Sequence, residues 1–384
     1  MNNDMETKVK SKRLLALDVM RGITIAGMIM VNNPGGDQVF TPLEHAEWIG
    51  LTPTDLVFPF FMFIMGITTY LSLNKYHFEF TRAAGWKILK RAALIWLIGL
   101  AVSWILMVTR TFCSPDFQGA FLDHFNQFDH LRILGVLPRL GICYGLAAVI
   151  ALTVRHKYIP WLIAVLFVAY FIILLVGNGF VDAKDSILYK VDFAVLGANH
   201  MYKWAIVDPE GILSTIPSVG HVLIGFCVGK LIMQVTDLND KIERLFLVGV
   251  LLTFAGLLLS YGCPLSKKLW TPTFSMTTCG LASSTLAILI WCIDKKGYVG
   301  KTTRFFEAFG VNPLFLYVLS DILLIPVSII PFIGGQTLQT FSCNALWIPL
   351  FGGKGGSLAF ALVYVALNWC FGYILYKKKI YIKL

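Results

Sequence analysis

IPWLIAVLFVAYFIILLV, residues 159–176, runs for eighteen residues without a charge. An apolar run of about 18 or more residues is long enough to cross the hydrocarbon core of a bilayer. Working outward, nine further runs of this character fall at 14–31, 54–73, 92–108, 133–154, 212–233, 245–261, 274–293, 313–330 and 357–376. Pro326 and Pro331 break the ninth run in chain order, and the apolar stretch 345–351 allows a re-entrant piece. The predicted fold is all-α: a polytopic integral membrane protein of about ten transmembrane helices.

Composition and charge point the same way. The 384 residues are 57% hydrophobic and only 14% charged, with a mean hydropathy of +0.72. That is too little charge for the surface of a soluble domain this long. The net charge of +10 does not indicate nucleic acid, because the charges sit in short clusters between apolar runs. On alternate sides of the predicted helices, 22 of the 32 lysines and arginines fall on one face and nine on the other, with Arg21 inside the first helix. The richer face carries the N-terminal cluster from Lys8 to Arg13 and the C-terminal Lys377, Lys378, Lys379 and Lys383. Positive charge marks the cytoplasmic side, so both termini are expected there. The tail 1–13 shows no cleavable signal, and residues 14–384 read as one transmembrane domain.

The longer loops fall on the opposite, outer face, where chemistry is expected. His45 lies in the first of them, flanked by Glu44 and Glu47. Neighbouring carboxylates could fix its tautomer and raise its basicity, as a general base requires. Asn32 and Asn33 precede Pro34-Gly35-Gly36 and also suit a helix C-cap and turn. Thr52-Pro53-Thr54-Asp55 reads as a capping box, and Asp208-Pro209-Glu210-Gly211 reads the same way before the sixth helix. Both also put carboxylates (Asp55, Asp208, Glu210) at the outer mouth, where an amine would be attracted. Asp18 and Arg21, three residues apart on one helix face, are expected to act mainly as a structural pair.

Other features read as structural. Gly141–Gly145 and Gly225–Gly229 give the small-residue spacing of close helix packing. Residues 352–356, GGKGG, lack the spacing of a phosphate loop and read as a flexible linker. Of eight cysteines, Cys113, Cys263 and Cys343 fall in predicted loops, where a disulfide is allowed but not required. The seven histidines form no metal-binding pattern, and no metal is expected.

Several stretches together resemble the heparan-α-glucosaminide N-acetyltransferase family of transmembrane acetyltransferases. They are Leu17-Asp18-x-x-Arg21-Gly22, Val31-Asn32, His45-Ala46-x-Trp48-x-Gly50-Leu51-Thr52 and Asp55-Leu56-Val57-Phe58-Pro59. Further along come Asp129-x-x-Arg132, Arg139-Leu140-Gly141, Asp208-Pro209-Glu210-Gly211, Lys268-Leu269-Trp270 and Gly310-x-Asn312. The resemblance implies transfer of an acetyl group from cytoplasmic acetyl-CoA to the amino group of a glucosamine-type sugar across the membrane. It implies His45 as the catalytic residue, with Asn32 nearby, acting either directly or through a transient acetyl-histidine. It brings Asp55, Asp208, Glu210, Trp270 and Asn312 forward as acceptor-binding residues, and Arg21 and Arg139 as contacts to CoA or as holders of carboxylates. It also implies a bacterial-type member in the inner (cytoplasmic) membrane, lacking the luminal N-terminal domain. Its partners would be the lipid bilayer and an amino-sugar or glycan acceptor, with a homodimer allowed. Ten helices with internal charges suit two other readings: a transporter or flippase for a sugar or lipid-linked glycan, and an O-acyltransferase on envelope polysaccharide. No internal repeat of the transporter kind is visible.

Overall fold

The computed structural model describes residues 14–114 and 127–382, so the basic tail 1–13 lies outside the described residues. The chain folds as α1 (Leu15–Asn32), α2 (Thr54–Leu73), α3 (Arg82–Phe112), α4 (Val136–Thr153), α5 (Ile159–Val176), α6 (Ile187–Leu196) and α7 (Thr215–Gln234). It continues through α8 (Leu238–Leu259), α9 (Pro272–Leu289), α10 (Lys301–Val311) and α11 (Pro313–Leu324). A two-residue to three-residue hairpin, β1 (Pro331–Ile333) and β2 (Gln336–Thr337), precedes α12 (Leu338–Ser342) and α13 (Ile348–Lys377). Among the described residues nine helical segments are long and apolar enough to cross a membrane, and ten if α10 and the α11 segment, bent by 83°, form one broken span. The protein is an all-α polytopic membrane protein, as the apolar runs predict.

Two helices went unseen as apolar runs, for a physical reason. α10 carries Lys301, Arg304 and Glu307, so its burial is one-sided, with Ala308 and Phe309 inside. α6 is only ten residues long. α3 begins at Arg82, well before its apolar run, because its first turns carry Lys87, Lys90 and Arg91 and so do not register as apolar.

Burial ranks the helices: 72% of the α7 span is buried against 17% of α8, so α7 is central and α8 peripheral. α1, α2, α7 and α9 supply most of the core, including Met20, Ile25, Met62, Phe63, Val222, Phe226 and Phe274. α2 and α7 touch backbone to backbone at Gly66 and Gly225, where an added Cβ would strike Val222 O and Phe63 O respectively. The expected glycine-mediated packing at Gly225 is therefore present. The first turn of α1 has free N–H groups that need acceptors. Asp294 supplies them from the end of α9, accepting from Leu15 and Ala16 at 3.3 and 3.2 Å.

Two expectations are corrected here. Residues 352–356 are not a flexible linker: they lie inside α13, interrupted only at Gly352, whose φ of 73° turns the chain sharply. Gly356 then packs so closely on Trp347 and Ile348 that a Cβ would collide with their backbone. The glycines are needed for this tight reversal, which low complexity mimics in sequence. Asp208-Pro209-Glu210-Gly211 does not cap the sixth span either, since α7 begins later, at Thr215, and is preceded by Ser214. Asp208 instead accepts from Glu210 N at 2.9 Å, closing a local turn. All eight cysteines are free, and Cys343 begins a helical turn rather than lying in a loop.

Candidate active site

The loop from α1 to α2 is organised from its two ends. At the first, Asn33 Nδ2 donates to Ile29 O at 2.7 Å, capping α1. At the second, Asp55 reaches back from the first turn of α2. Its Oδ2 accepts from Ala46 N and Thr52 N, both at 3.1 Å, while the single Thr52 hydroxyl proton is shared between Oδ2 at 3.0 Å and Glu44 O at 2.7 Å. Half of the expected capping box is formed, since Asp55 accepts from Thr52 N while the Thr52 side chain does not accept from Asp55 N, and that half aims the carboxylate at the loop.

The remaining oxygen, Oδ1, lies 2.7 Å from His45 Nδ1. Asp55 is fully buried while the His45 side chain is 48% exposed. An ionised carboxylate can only accept, so Nδ1 is the donor in this contact, and in the neutral imidazole the lone pair is then on Nε2. The partner expected from sequence was Glu44 or Glu47, yet both are exposed, and their side chains make no hydrogen bond among the described residues. Their adjacency in sequence does not bring them onto the ring. Asp55, held by Thr52 N, does come onto it.

A third group was missed by sequence reasoning. Lys267 Nζ lies 3.1 Å from His45 Nδ1, 3.4 Å from Nε2 and 3.6 Å from Asp55 Oδ1. It arrives on the loop between α8 and α9, which is pinned to the His45 loop by Gly50 N donating to Leu265 O at 2.8 Å. Burial pulls Lys267 below the usual lysine range, against the opposing attraction of Asp55 and Glu210. No local pattern in sequence links residues 45 and 267; only the family stretch beginning at Lys268 points near it.

Beside this trio stands a second charged cluster. Arg132 bridges Asp208 at 2.5 Å and Glu210 at 2.6 Å, and lies 4.4 Å over the Tyr202 ring. Asp208 is fully buried and also accepts from Tyr202 N at 3.0 Å. Burial alone would raise Glu210, but Arg132 and Arg139 outweigh it and hold the carboxyl below its ordinary value. Removing Arg132 would leave two inward carboxylates without a counter-charge. Arg132→Ala is therefore expected to cost about 3–5 kcal/mol of stability, read as a large drop in melting temperature in detergent. A melting temperature unchanged from wild type would show that the cluster is not structural.

Asp192 on α6 accepts from Ile212 N at 2.8 Å. Burial pushes its carboxyl up to about 6, with Asp208 adding to the push. Because the folded value is raised, the protonated form favours folding, and that contribution is lost as pH rises through about 6. Asp192→Asn, permanently neutral, should match wild type near pH 4 and melt higher than wild type at pH 8. The reverse ordering would mean the carboxylate is held ionised.

Deeper in the protein, Arg139 is 1% exposed and donates through Nη2 to Gly211 O at 3.0 Å and to Ser214 Oγ. Its guanidinium lies 5.5 Å from the Trp270 ring, which also packs on Phe58 at 5.4 Å and His221 at 5.6 Å. Trp270 is buried with φ of 52°, a strained conformation for a bulky residue. Asn32 is exposed at the end of α1, and its side chain makes no hydrogen bond among the described residues. Asn312 stands near the other end of α1, its amide taken up by Ile380 O and Ile382 N, both at 2.8 Å. The structure thus gathers His45 and Asp55 with Lys267, and sets Asp208 and Glu210 beside them; Asn312 it does not.

The opposite end of α2 lines a separate crevice. Arg21, Thr68, Ser72 and Arg91 border a cavity of about 420 Å³. It adjoins a second of about 260 Å³, bordered by Lys87, Lys90 and Tyr76, through the shared Ser72 and Arg91. Arg91 stacks 4.7 Å over Tyr144, and its buried Nε has no hydrogen-bond partner among the described residues. Arg21 pairs with Asp18 at 3.0 Å and donates to Gly310 O at 3.0 Å, so the expected structural pair is formed and also faces the crevice.

Chemically, a histidine–carboxylate pair with an adjacent lysine can move a proton at the protein surface, and a basic crevice can hold an anion. The model of the family described as "Heparan-alpha-glucosaminide N-acetyltransferase, catalytic" matches residues 13–261, well over half of the chain. The chain belongs to this family. Two relatives bear the name heparan-alpha-glucosaminide N-acetyltransferase. The Mus musculus protein is 26% identical over 379 residues, covering 83% of this chain and 55% of its own length. The Homo sapiens protein is 26% identical over 369 residues, covering 80% and 52%. The chain spans about half the length of these relatives. The heparan-alpha-glucosaminide N-acetyltransferase match includes His45, Asp55, Arg132, Asp208 and Glu210, whereas Lys267, Trp270 and Asn312 lie beyond it.

Proposed function

We propose that this protein is a transmembrane acetyltransferase, using acetyl-CoA on the basic face to acetylate the amino group of a glucosamine-type sugar at the His45 face. The observation that carries the reading is the 2.7 Å contact between exposed His45 and buried Asp55. It makes Nε2 a base at the end of a helix whose other end lines the basic crevice. Asp55 and Thr68 are thirteen residues apart on α2, or roughly 20 Å along the axis.

An ammonium acceptor has no lone pair until it loses a proton. His45 Nε2 takes that proton, and Asp55 stabilises the imidazolium that forms. The amine then attacks the thioester carbonyl and the C–S bond breaks. The departing CoA thiolate takes the proton from the imidazolium, and the second amine proton is lost to solvent. The Lys267 ammonium faces the same space and offers a donor to negative charge developing on the acyl oxygen. Asp208 and Glu210, both paired with Arg132, are proposed to bind polar groups of the acceptor. Acetyl-CoA supplies the activated acetyl group. Its phosphates fit Arg21, Arg91, Lys87 and Lys90, and the unpartnered Arg91 Nε is the observation that favours an anion there. Asn32, exposed at the His45 end of α1, is proposed to orient the thioester carbonyl; Trp270 and Arg139 support the site from beneath.

The excess of positive charge on the crevice face supports placing it, with both termini, on the cytoplasmic side of the membrane, which we propose to be a bacterial inner membrane. Purified protein given labelled acetyl-CoA and a panel of amino sugars and hydroxylated glycans tests the reading. Label on the amine of glucosamine is expected. Label only on hydroxyls would make it an O-acyltransferase, and consumption of acetyl-CoA with none of the panel would remove the acetyltransferase reading.

A further inference from the structure

A long apolar groove runs down the outside of the bundle and ends at the active-site loop. α5 packs on α7, and α8 packs on α9. Between these pairs lies a groove of about 840 Å³, bordered by Ala164, Val168 and Phe171 of α5, Leu252 of α8, and Met276 of α9. The α8 border reaches from Val248 to Leu259, eleven residues, or roughly 16 Å. The one hydroxyl on the border, Thr273 Oγ1, is turned away to Cys263 O at 2.8 Å. Such a surface suits an extended hydrocarbon chain, and water gains nothing in it.

One end of the groove is closed by Gly262, Cys263 and Pro272. These residues flank the loop that brings Lys267 to His45 and holds Lys268 5.9 Å over the Trp48 ring. A chain lying in the groove therefore delivers its head group to two lysines and to the base. We infer that the acceptor is a membrane-anchored amino sugar joined to a long hydrocarbon through an anionic phosphate linkage, with the chain in this groove and the phosphate at Lys268. This rests on the acetyltransferase reading and narrows its substrate class. The charge of the two lysines favours a phosphate-linked amphiphile over a neutral one.

The test compares a prenyl-phosphate-linked glucosamine with free glucosamine as acceptors for the full chain in nanodiscs. It uses wild type, Ala164→Trp, which fills the groove from an exposed position, and Lys268→Ala. Each variant should raise KM for the prenyl-linked acceptor by about tenfold or more and leave both constants for free glucosamine unchanged. Because partition of the lipid into the disc is the same for all three proteins, the variants isolate the groove. If Ala164→Trp fails to fold, Lys268→Ala still carries the KM test. Equal effects on both acceptors, or none, would overturn the proposal and leave the groove to bulk phospholipid. Acetylation of neither acceptor by wild type would overturn the underlying acetyltransferase reading instead.

Discussion

His45→Ala is expected to lower acetyl transfer by about 10²–10⁴-fold while the protein stays folded. Loss of a positioned base produces a fall of that size, and loss of a covalent carrier would produce a larger one. Folding should survive because the side chain is 48% exposed and contributes little to the core. What it leaves behind is also satisfied: Asp55 keeps two backbone donors on Oδ2 and has Lys267 3.6 Å from Oδ1. Steady-state turnover of labelled acetyl-CoA with glucosamine reads the effect, alongside the elution profile in detergent. Turnover near wild type in folded His45→Ala would end the catalytic assignment and direct attention to Asp55, Asp208 and Glu210.

Asp55→Asn should be almost as damaging, by a different route. Oδ2 of Asp55 accepts from Ala46 N and Thr52 N. An asparagine must keep its carbonyl oxygen in that place, because an amide nitrogen there would face donors. Its NH₂ then points at His45 Nδ1, which must become the acceptor, and the ring proton moves to Nε2. The base is in the wrong tautomer. Such an inversion costs up to about 10⁴-fold in kcat where it has been isolated in a histidine–aspartate pair. The measurement is kcat in folded Asp55→Asn, with the pH profile recorded beside it. A kcat close to wild type would mean that Asp55 only caps α2.

The membrane fold was legible because bilayer thickness imposes one length on every span, and hydrophobicity alone carries that signal. It failed where helices are not wholly apolar, as at α10, or where glycine-rich sequence builds a tight helical reversal, as at Gly352 and Gly356. The site was legible in part. His45 and Asp55 are close in sequence, and the bond from Thr52 N to Asp55 holds the geometry that joins them. Lys267 was not legible, since its approach depends on how the α8–α9 loop docks on Gly50. The crevice residues Arg91, Lys87 and Lys90 read as orientation charges, and only the fold shows Arg91 lining a cavity with Arg21.

Sealed vesicles containing the purified protein separate the two faces and test vectorial transfer directly. Molecules inserted with the basic face inward are supplied with acetyl-CoA only inside and glucosamine only outside. The account predicts N-acetylglucosamine in the external medium, with free CoA accumulating inside. Product that forms only when acetyl-CoA and glucosamine share one compartment would contradict it.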